Sequence, residues 1–153
     1  LKKWFGWVNP DNGETRGRRK SPRHFTEYDA FYELYKIKSY LKNPNLSINL
    51  VLMDMEEYKL LNGWSYDKKR GSTRYDRVPV GIRRIVRFDR IEDYMQLVPA
   101  DLKEDFTVKD FAMAAGVSVE ASRYTLNILN YLEIVKRTGR VKNGYVYNVT
   151  EEF

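Results

Sequence analysis

Residues 106–119 read FTVKDFAMAAGVSV, and this order of cap, helix, glycine and second cap predicts two helices joined by a short turn. Thr107 is an N-cap residue for the first helix, with Asp110 three positions later as in a capping box. We predict that the first helix covers residues 108–115. It ends at Gly116, because glycine adopts the left-handed backbone of a helix C-terminus at little steric cost.

The second helix is predicted over residues 119–132, with Ser118 as its N-cap. Apolar side chains recur along it at helical spacing and place Ala121, Leu126 and Leu129 on the buried face. Two helices joined by about three residues that include a glycine form the helix-turn-helix signature.

Beyond the second helix, the apolar residues change from helical to alternating spacing, which favours strands. We predict one short strand over residues 133–137 and another over residues 145–149. Between them, we predict a basic turn over residues 138–143 that closes at Gly144. Two strands around a basic loop, directly after a helix-turn-helix, predict a wing.

The ordered set over residues 101–149 resembles the bacterial winged helix-turn-helix families. Residues 129–135 read LNYLEIV, where those families carry a leucine, two polar residues, a leucine, a glycine and two apolar residues. Glu133 stands at the glycine position, which is a departure from the pattern. The resemblance implies that the second helix enters the major groove of DNA.

This resemblance assigns two groups of side chains to DNA. The candidate base readers on the second helix are Ser118, Glu120, Ser122, Arg123 and Asn127. The candidate phosphate contacts in the wing are Lys136, Arg137, Arg140 and Lys142. Winged helices also dock other proteins, and residues 101–153 carry seven Lys/Arg against eight Asp/Glu. Packing, a protein partner or a homodimer therefore stays open as the alternative.

We predict that residues 1–98 form a separate domain of mixed α+β class. The predicted fold of the whole chain is therefore α+β, with a winged helix at residues 101–149. We expect strands at residues 2–8, 14–20, 46–54 and 82–88. We expect one helix to begin at Thr26, with Asp29 completing its capping box. We expect short helices over residues 55–61 and 91–98. Residues 1–100 resemble the region that precedes such modules in bacterial proteins of unknown function, which implies no activity.

Basic residues are concentrated in the first two thirds of the chain. Residues 1–100 hold 20 Lys/Arg against 13 Asp/Glu, within a total net charge of +6, and such an excess favours polyanionic partners. Residues 66–77 predict a basic loop around Gly71, whose backbone suits an anion. Its candidate phosphate-binding residues are Lys68, Lys69, Arg70, Ser72, Thr73 and Arg74. A solvated loop without a ligand is the alternative.

A second basic cluster lies beside aromatic residues in the predicted hairpin. Its cations are Arg16, Arg18, Arg19, Lys20 and Arg23, and the aromatic residues are Trp4, Phe5 and Trp7. Cations beside aromatic rings suit single-stranded nucleic acid, whose bases stack on such rings. Adjacent strand residues face opposite sides of a sheet, so the interpretation of the rings as core also stays open.

One tripeptide, Glu57-Tyr58-Lys59, hints at catalysis, because it matches the acid-x-lysine part of a restriction-type nuclease motif. That chemistry needs a second acid to share a metal, and Asp29 is the only upstream acid that suggests itself. On the helix predicted over residues 55–61, Glu57 and Lys59 would point almost opposite ways. We therefore predict no catalytic residue, metal or cofactor, and keep a metal-dependent nuclease or its remnant as the third interpretation.

The absence of Cys and the single histidine, His24, exclude disulfides and thiolate or His-rich metal sites. No apolar run approaches the roughly 20 residues of a membrane span, and no signal-peptide pattern opens the chain. We expect a cytoplasmic protein of bacterial type without a membrane partner. The first residue is Leu1 rather than Met, so we expect a fragment of a longer protein. The leading interpretation is nucleic-acid binding, with duplex DNA as the expected partner.

Overall fold

A computed structural model describes residues 3–22, 24–64, 71–142 and 144–150. The chain forms two compact units, each built from two segments of sequence. Unit 1 contains Leu1–Phe25 and Val51–Ile85, and unit 2 contains Thr26–Leu50 and Val86–Phe153. Sheets and helices occur together, so the predicted mixed α+β class is confirmed. The domain boundary predicted between residues 98 and 101 stays a prediction.

Unit 1 is organised around a four-stranded sheet of order β2-β1-β3-β4. Its strands are β1 (Lys3–Val8), β2 (Thr15–Lys20), β3 (Ile48–Leu60) and β4 (Thr73–Phe88). β1 is antiparallel to β2 and parallel to β3. Residues 48–50 of β3 and 86–88 of β4 belong to unit 2.

The hairpin of β1 and β2 has the turn that its sequence predicts. The Asn9 amide donates to the Glu14 carbonyl and the Gly13 amide donates to the Asn9 carbonyl, each at 2.9 Å. Gly13 has a φ of +70°, the left-handed conformation that glycine supplies in turns. Both predicted strands are confirmed; β2 starts one residue later than predicted, and residue 2 lies outside the described residues.

The helix predicted over residues 55–61 is wrong. β3 continues through this segment in parallel register with β1, from Met55 opposite Lys3 to Leu60 opposite Val8. The segment is rich in residues that favour a helix locally, but pairing with a strand from the start of the chain prevails. Local propensity is a weak signal when a distant strand satisfies the backbone.

The predicted loop over residues 66–77 is also partly wrong, because β4 already begins at Thr73. Pro79 lies within this strand, and β4 is at the edge of its sheet, the position at which proline is tolerated. Residues 66–70 of the predicted loop lie outside the described residues.

Unit 2 begins with a helical segment of mixed character. Two 3₁₀ turns, Glu27–Ala30 and Tyr35–Tyr40, flank the short helix α1 (Phe31–Leu34). The predicted capping box is present, and the Thr26 amide donates to Asp29 Oδ2 at 2.7 Å. A further 3₁₀ helix, Ile91–Leu97, occupies the place of the helix predicted at residues 91–98.

The rest of unit 2 combines two helices with a small antiparallel sheet of order β5-β7-β6. Its elements are β5 (Phe106–Thr107), α2 (Val108–Ala115), α3 (Val119–Tyr131), β6 (Val135–Val141) and β7 (Gly144–Val149). The predicted extent of α2 is confirmed, and α3 ends one residue earlier than predicted. The turn predicted over residues 138–143 is too long, because β6 runs on to Val141.

Local hydrogen bonds define the starts of both helices. The Thr107 hydroxyl and amide donate to the Asp110 carboxylate at 2.6 and 2.8 Å, and these bonds lower the pKa of Asp110 to about 2. The Ala121 amide donates to Ser118 Oγ at 3.1 Å. Gly116 ends α2 with a φ of +66°, as a C-terminal glycine does.

The core of unit 2 contains the inner faces of α2 and α3. Its fully buried apolar residues include Phe106, Phe111, Leu126, Ile128, Leu129, Ile134 and Val135. Leu126 and Leu129 confirm the predicted inner face of α3, whereas Ala121 is only half-buried. Among the described residues, we find no helix that is both long enough and apolar enough to cross a membrane.

Candidate nucleic-acid interface

A groove of about 700 Å³ lies between α3 and the β6–β7 hairpin of unit 2. Its lining side chains include Lys109, Val119, Arg123, Asn127, Arg137, Val141, Lys142 and Tyr145. α3 supplies one wall and the hairpin the other, and the start of α2 contributes Lys109. Three separate parts of the sequence therefore line one space.

The charged side chains that line this groove are all positive. Lys109, Arg123, Arg137 and Lys142 line it, and none of the lining residues that the structure describes is a carboxylate. In the part of the chain that the structure describes, none of these four cations forms an ion pair. Cations gathered in a concave surface without counter-charges create a positive potential that attracts anions.

The Tyr145 ring forms cation–π contacts with two arginines of the hairpin. The Arg137 guanidinium lies 4.1 Å from the centroid of the Tyr145 ring, and the Arg140 guanidinium lies 4.9 Å from it. Cation–π contacts of this kind orient a guanidinium without neutralising its charge. Both arginines therefore remain available to an anionic ligand.

The five predicted base readers have different surroundings. Arg123 is exposed and lines the groove. Asn127 also lines it, and its Oδ1 accepts a hydrogen bond from Lys38 Nζ at 3.0 Å. Ser118 and Glu120 are exposed at the start of α3, but the Ser118 hydroxyl oxygen is engaged in the helix cap.

The prediction for Ser122 is wrong. Its side chain is fully buried, and its hydroxyl donates to the Ser118 carbonyl at 2.9 Å. Ser122 precedes Leu126 by four residues and therefore lies on the same, core-facing side of α3. A hydroxyl in this position cannot reach the edge of a base.

All four predicted wing cations lie on the hairpin and are exposed. Arg137 and Lys142 line the groove, whereas Lys136 and Arg140 do not. Lys142 has a φ of +54°, so the turn between β6 and β7 holds a non-glycine residue in the left-handed region.

Three residues of this region were not predicted from the sequence. Lys109 is exposed at the second position of α2. The capping box at Thr107 predicts where this helix starts, and it is the only sequence signal for the position of Lys109. Tyr145 lies two residues before the buried Tyr147 in β7 and therefore on the same face of the strand, so strand alternation gave no signal that its ring is exposed. Lys38, the partner of Asn127, has no comparable signal, because its contact joins distant parts of the sequence.

The predicted phosphate-binding loop falls only partly within the described residues. Outside them lie Lys68, Lys69 and Arg70. Thr73 Oγ1 accepts from the Asn62 side-chain amide at 3.0 Å, and Arg74 Nε lies 3.5 Å from Glu57 Oε2. Ser72 is half-buried. Phosphate binding by this loop stays a prediction.

Glu57 and Lys59 share one face of β3, contrary to our prediction that they point in opposite directions. Lys59 Nζ lies 4.0 Å from Glu57 Oε1. Three other cations are closer to the buried carboxylate: Arg77 Nε at 2.6 Å, Lys3 Nζ at 2.7 Å and Arg74 Nε at 3.5 Å. Burial raises the pKa of Glu57, but hydrogen bonds from Lys3 and Arg77 outweigh it and hold the pKa below its ordinary value.

Among the described residues, Glu57 does not belong to a cluster of three side chains that could hold a metal ion. In that part of the chain, no three His, Asp or Glu side chains come close enough to hold a metal ion. Asp29, the predicted upstream acid, accepts hydrogen bonds from Thr26 as part of a helix cap. The described ion-pair partners of the Glu57 carboxylate are Lys3, Lys59, Arg74 and Arg77.

Comparison with known proteins gives one match. The family described as Domain of unknown function (DUF8091) matches residues 1–89. No curated protein and no solved structure matches the chain. The matched residues include all four strands of the first sheet and end before α2 and α3. Because the match covers more than half of the 153 residues, the chain belongs to the DUF8091 family.

Proposed function

We propose that residues 101–149 form a winged helix-turn-helix that binds duplex DNA in the groove between α3 and the β6–β7 hairpin. The observation that carries this proposal is the groove itself, where four cations meet and where, among the described residues, neither an ion-pair partner nor a lining carboxylate is found. The order β5-α2-α3-β6-β7 supports it, because a helix-turn-helix followed by a β-hairpin is the arrangement of a winged helix.

Arg123 is the proposed base reader. It is exposed on α3, and an arginine on a helix in the major groove can donate two hydrogen bonds to guanine. We assign Arg137, Arg140 and Lys142 to phosphates, which fix the position of a protein on DNA without reading sequence. Asn127 needs both its oxygen and its nitrogen to read adenine. Since its oxygen accepts from Lys38, we assign it to positioning that lysine.

Fluorescence anisotropy with a labelled duplex of about 20 base pairs tests this proposal. We expect binding that weakens steeply with salt, because each phosphate contact contributes about 0.9 to the slope of log K against log salt concentration. Arg137→Gln should lower the slope by about 0.9. Arg123→Gln should reduce the preference for the favoured base more than it reduces overall affinity.

The matched control is Lys36→Gln, which removes one exposed charge from unit 2 outside the groove. Lys36 pairs with Glu33 at 2.7 Å, so we expect affinity and slope close to those of the unchanged protein. Equal losses in Lys36→Gln and Arg137→Gln would show that only net charge matters, and would contradict a DNA site in the groove.

A protein partner is the second candidate, favoured by apolar side chains in the same groove. Val141 is 59% exposed and Val119 is 38% exposed, and both line it. If the partner is a second copy of the chain, sedimentation should detect a dimer that Val141→Ser disrupts and Arg123→Gln preserves. A monomer at all accessible concentrations would exclude this homodimer.

A further inference from the structure

One face of the unit 1 sheet combines cations with aromatic rings. We name it the Phe5 face, and its charged and aromatic residues on the first three strands are Lys3, Phe5, Trp7, Arg16, Arg19, Glu57 and Lys59. Register places them together: Phe5 lies opposite Arg19 on β2 and Glu57 on β3, and directly paired residues have their side chains on the same side of a sheet.

A β-bulge in β2 is responsible for the two arginines. Arg16 and Arg19 are three residues apart, so in a regular strand they would face opposite sides. The register shifts between Gly6 and Trp7, so that Trp7 lies opposite Arg16. Gly17, with a φ of +67°, is the residue that absorbs the shift, as glycine does in such bulges. Both arginines therefore join the Phe5 face.

Phe5 lies at the centre of this face, between two ammonium groups. Lys3 Nζ is 5.0 Å and Lys59 Nζ is 4.7 Å from the centroid of its ring. Both lysines also form ion pairs with the Glu57 carboxylate. The same carboxylate pairs with Arg77, whose Nε lies 2.6 Å from Glu57 Oε2. Glu57 thus fixes the cations around the ring in place.

The Phe5 face carries a large excess of positive charge. Six cations belong to it or reach Glu57 from β4: Lys3, Arg16, Arg19, Lys59, Arg74 and Arg77. The described residues of the first three strands place one carboxylate, Glu57, on this face. On the opposite face, Arg18 pairs with Glu56 and lies over the Trp4 ring at 4.8 Å, so the charge of Arg18 is balanced there by a carboxylate.

We propose that the Phe5 face binds single-stranded nucleic acid. This site lies in unit 1 and goes beyond the duplex site proposed in unit 2. Phosphates would contact the arginines of β2 and β4, while bases would stack at the partly exposed rings of Phe5 and Trp7. Flat aromatic residues surrounded by cations suit unpaired bases, because a duplex keeps the faces of its bases inside the stack.

Titration with labelled oligo-dT and oligo-U of about 12 nucleotides tests this proposal, and the two probes distinguish DNA from RNA. The decisive comparison is Arg19→Gln against Lys20→Gln. These neighbouring residues are both exposed on β2 but face opposite sides of the sheet, since Lys20 pairs with Trp4 and Arg19 with Phe5. Arg19→Gln should lower the salt slope by about 0.7, and Lys20→Gln should leave it unchanged.

Phe5→Leu tests the stacking part, because leucine keeps much of the volume and removes the ring. We expect affinity for oligo-dT to fall on the order of tenfold, with thermal unfolding measured alongside to confirm that the sheet is intact. Inorganic polyphosphate is the control ligand without bases, and Phe5→Leu should not weaken its binding.

Three results would overturn the proposal: no oligonucleotide binding at low salt, equal effects of Arg19→Gln and Lys20→Gln, or polyphosphate binding that matches oligo-dT. The proposed duplex site can fail separately. Arg137→Gln should leave oligo-dT binding intact, and Arg19→Gln should leave duplex binding by the groove intact.

Discussion

At the scale of single residues, Glu57 shows how surroundings determine what a side chain can do. In the sequence it is part of an acid-x-lysine tripeptide, yet in the fold it is a buried carboxylate held by cations from three strands. A buried ion pair tolerates the loss of one partner poorly, because the other charges remain without compensation. The role that we assign to Glu57 is therefore to organise the Phe5 face.

We predict that Glu57→Gln lowers the free energy of unfolding by about 3 kcal/mol at neutral pH. The control is Glu33→Gln, which removes an exposed ion pair with Lys36 and should cost less than about 1 kcal/mol. Urea unfolding followed by tryptophan fluorescence measures both. Similar small losses in the two variants would contradict the organising role of Glu57.

The same residue predicts a pH dependence. The pKa of Glu57 is below its ordinary value of 4.5 in the folded chain, so its contribution to stability is complete above about pH 4.5 and is lost as the pH falls through the lower folded pKa. The difference in unfolding free energy between the unchanged protein and Glu57→Gln should therefore shrink below pH 4.5. A difference that stays constant down to pH 2 would contradict the shift.

At the scale of elements, the turn after α3 contains a residue in an unfavourable conformation. Glu133 has a φ of +68°, where a side chain costs roughly 1 kcal/mol relative to glycine. Its ion pair with Lys42, at 2.6 Å, is exposed and offsets little of this cost. The winged-helix families carry glycine at this position. Glycine adopts a positive φ at little cost, so the conformation of Glu133 is the one that their glycine would favour.

We predict that Glu133→Gly raises the free energy of unfolding by up to about 1 kcal/mol, because it removes the backbone strain. Glu133→Ala is the matched control: it also loses the ion pair, but it keeps a Cβ in the left-handed region and should give no gain. Thermal unfolding distinguishes them, and a lower melting temperature in the glycine variant than in the alanine variant would refute the prediction.

The start of α2 gives a second prediction at this scale. Asp110→Ala removes the acceptor of two Thr107 hydrogen bonds and should cost about 1 kcal/mol. Since the pKa of Asp110 is lowered from 3.8 to about 2, this contribution is complete above about pH 3.8 and is lost as the pH falls through 2. Glu104→Ala, at an exposed site, should change stability little; an equal loss there would argue against the cap.

Elements that depend on nearby residues were predictable, whereas elements that depend on distant partners were not. Both caps and the C-terminal glycine of α2 involve residues within a few positions of each other, and they predicted the bounds of that helix. β3 beyond residue 54 depends on β1, which no local pattern shows. For the same reason, the sequence indicated Arg123 and Arg137 but could not show that Lys38 meets Asn127 or that Glu57 gathers four cations.

At the scale of the whole molecule, charge is divided unevenly between the two units. The segments of unit 1 hold 15 Lys/Arg and 7 Asp/Glu, whereas those of unit 2 hold 12 and 14. Unit 2 is therefore slightly negative overall, so the DNA binding that we propose for it depends on the local cations of the groove. Charges beyond about 10 Å are screened at 0.1 M salt, so the local cations of the groove dominate at physiological ionic strength.

Nuclear magnetic resonance tests the central claim, that the groove holds duplex DNA, most directly. A ¹⁵N-labelled chain of 153 residues is suitable for amide-shift mapping during titration with a short duplex. We predict that the largest shift changes occur along α3 around Arg123 and along the β6–β7 hairpin around Arg137 and Tyr145, with Ser122 and the buried face affected less. Shift changes confined to unit 1, or none at saturating duplex, would contradict the claim.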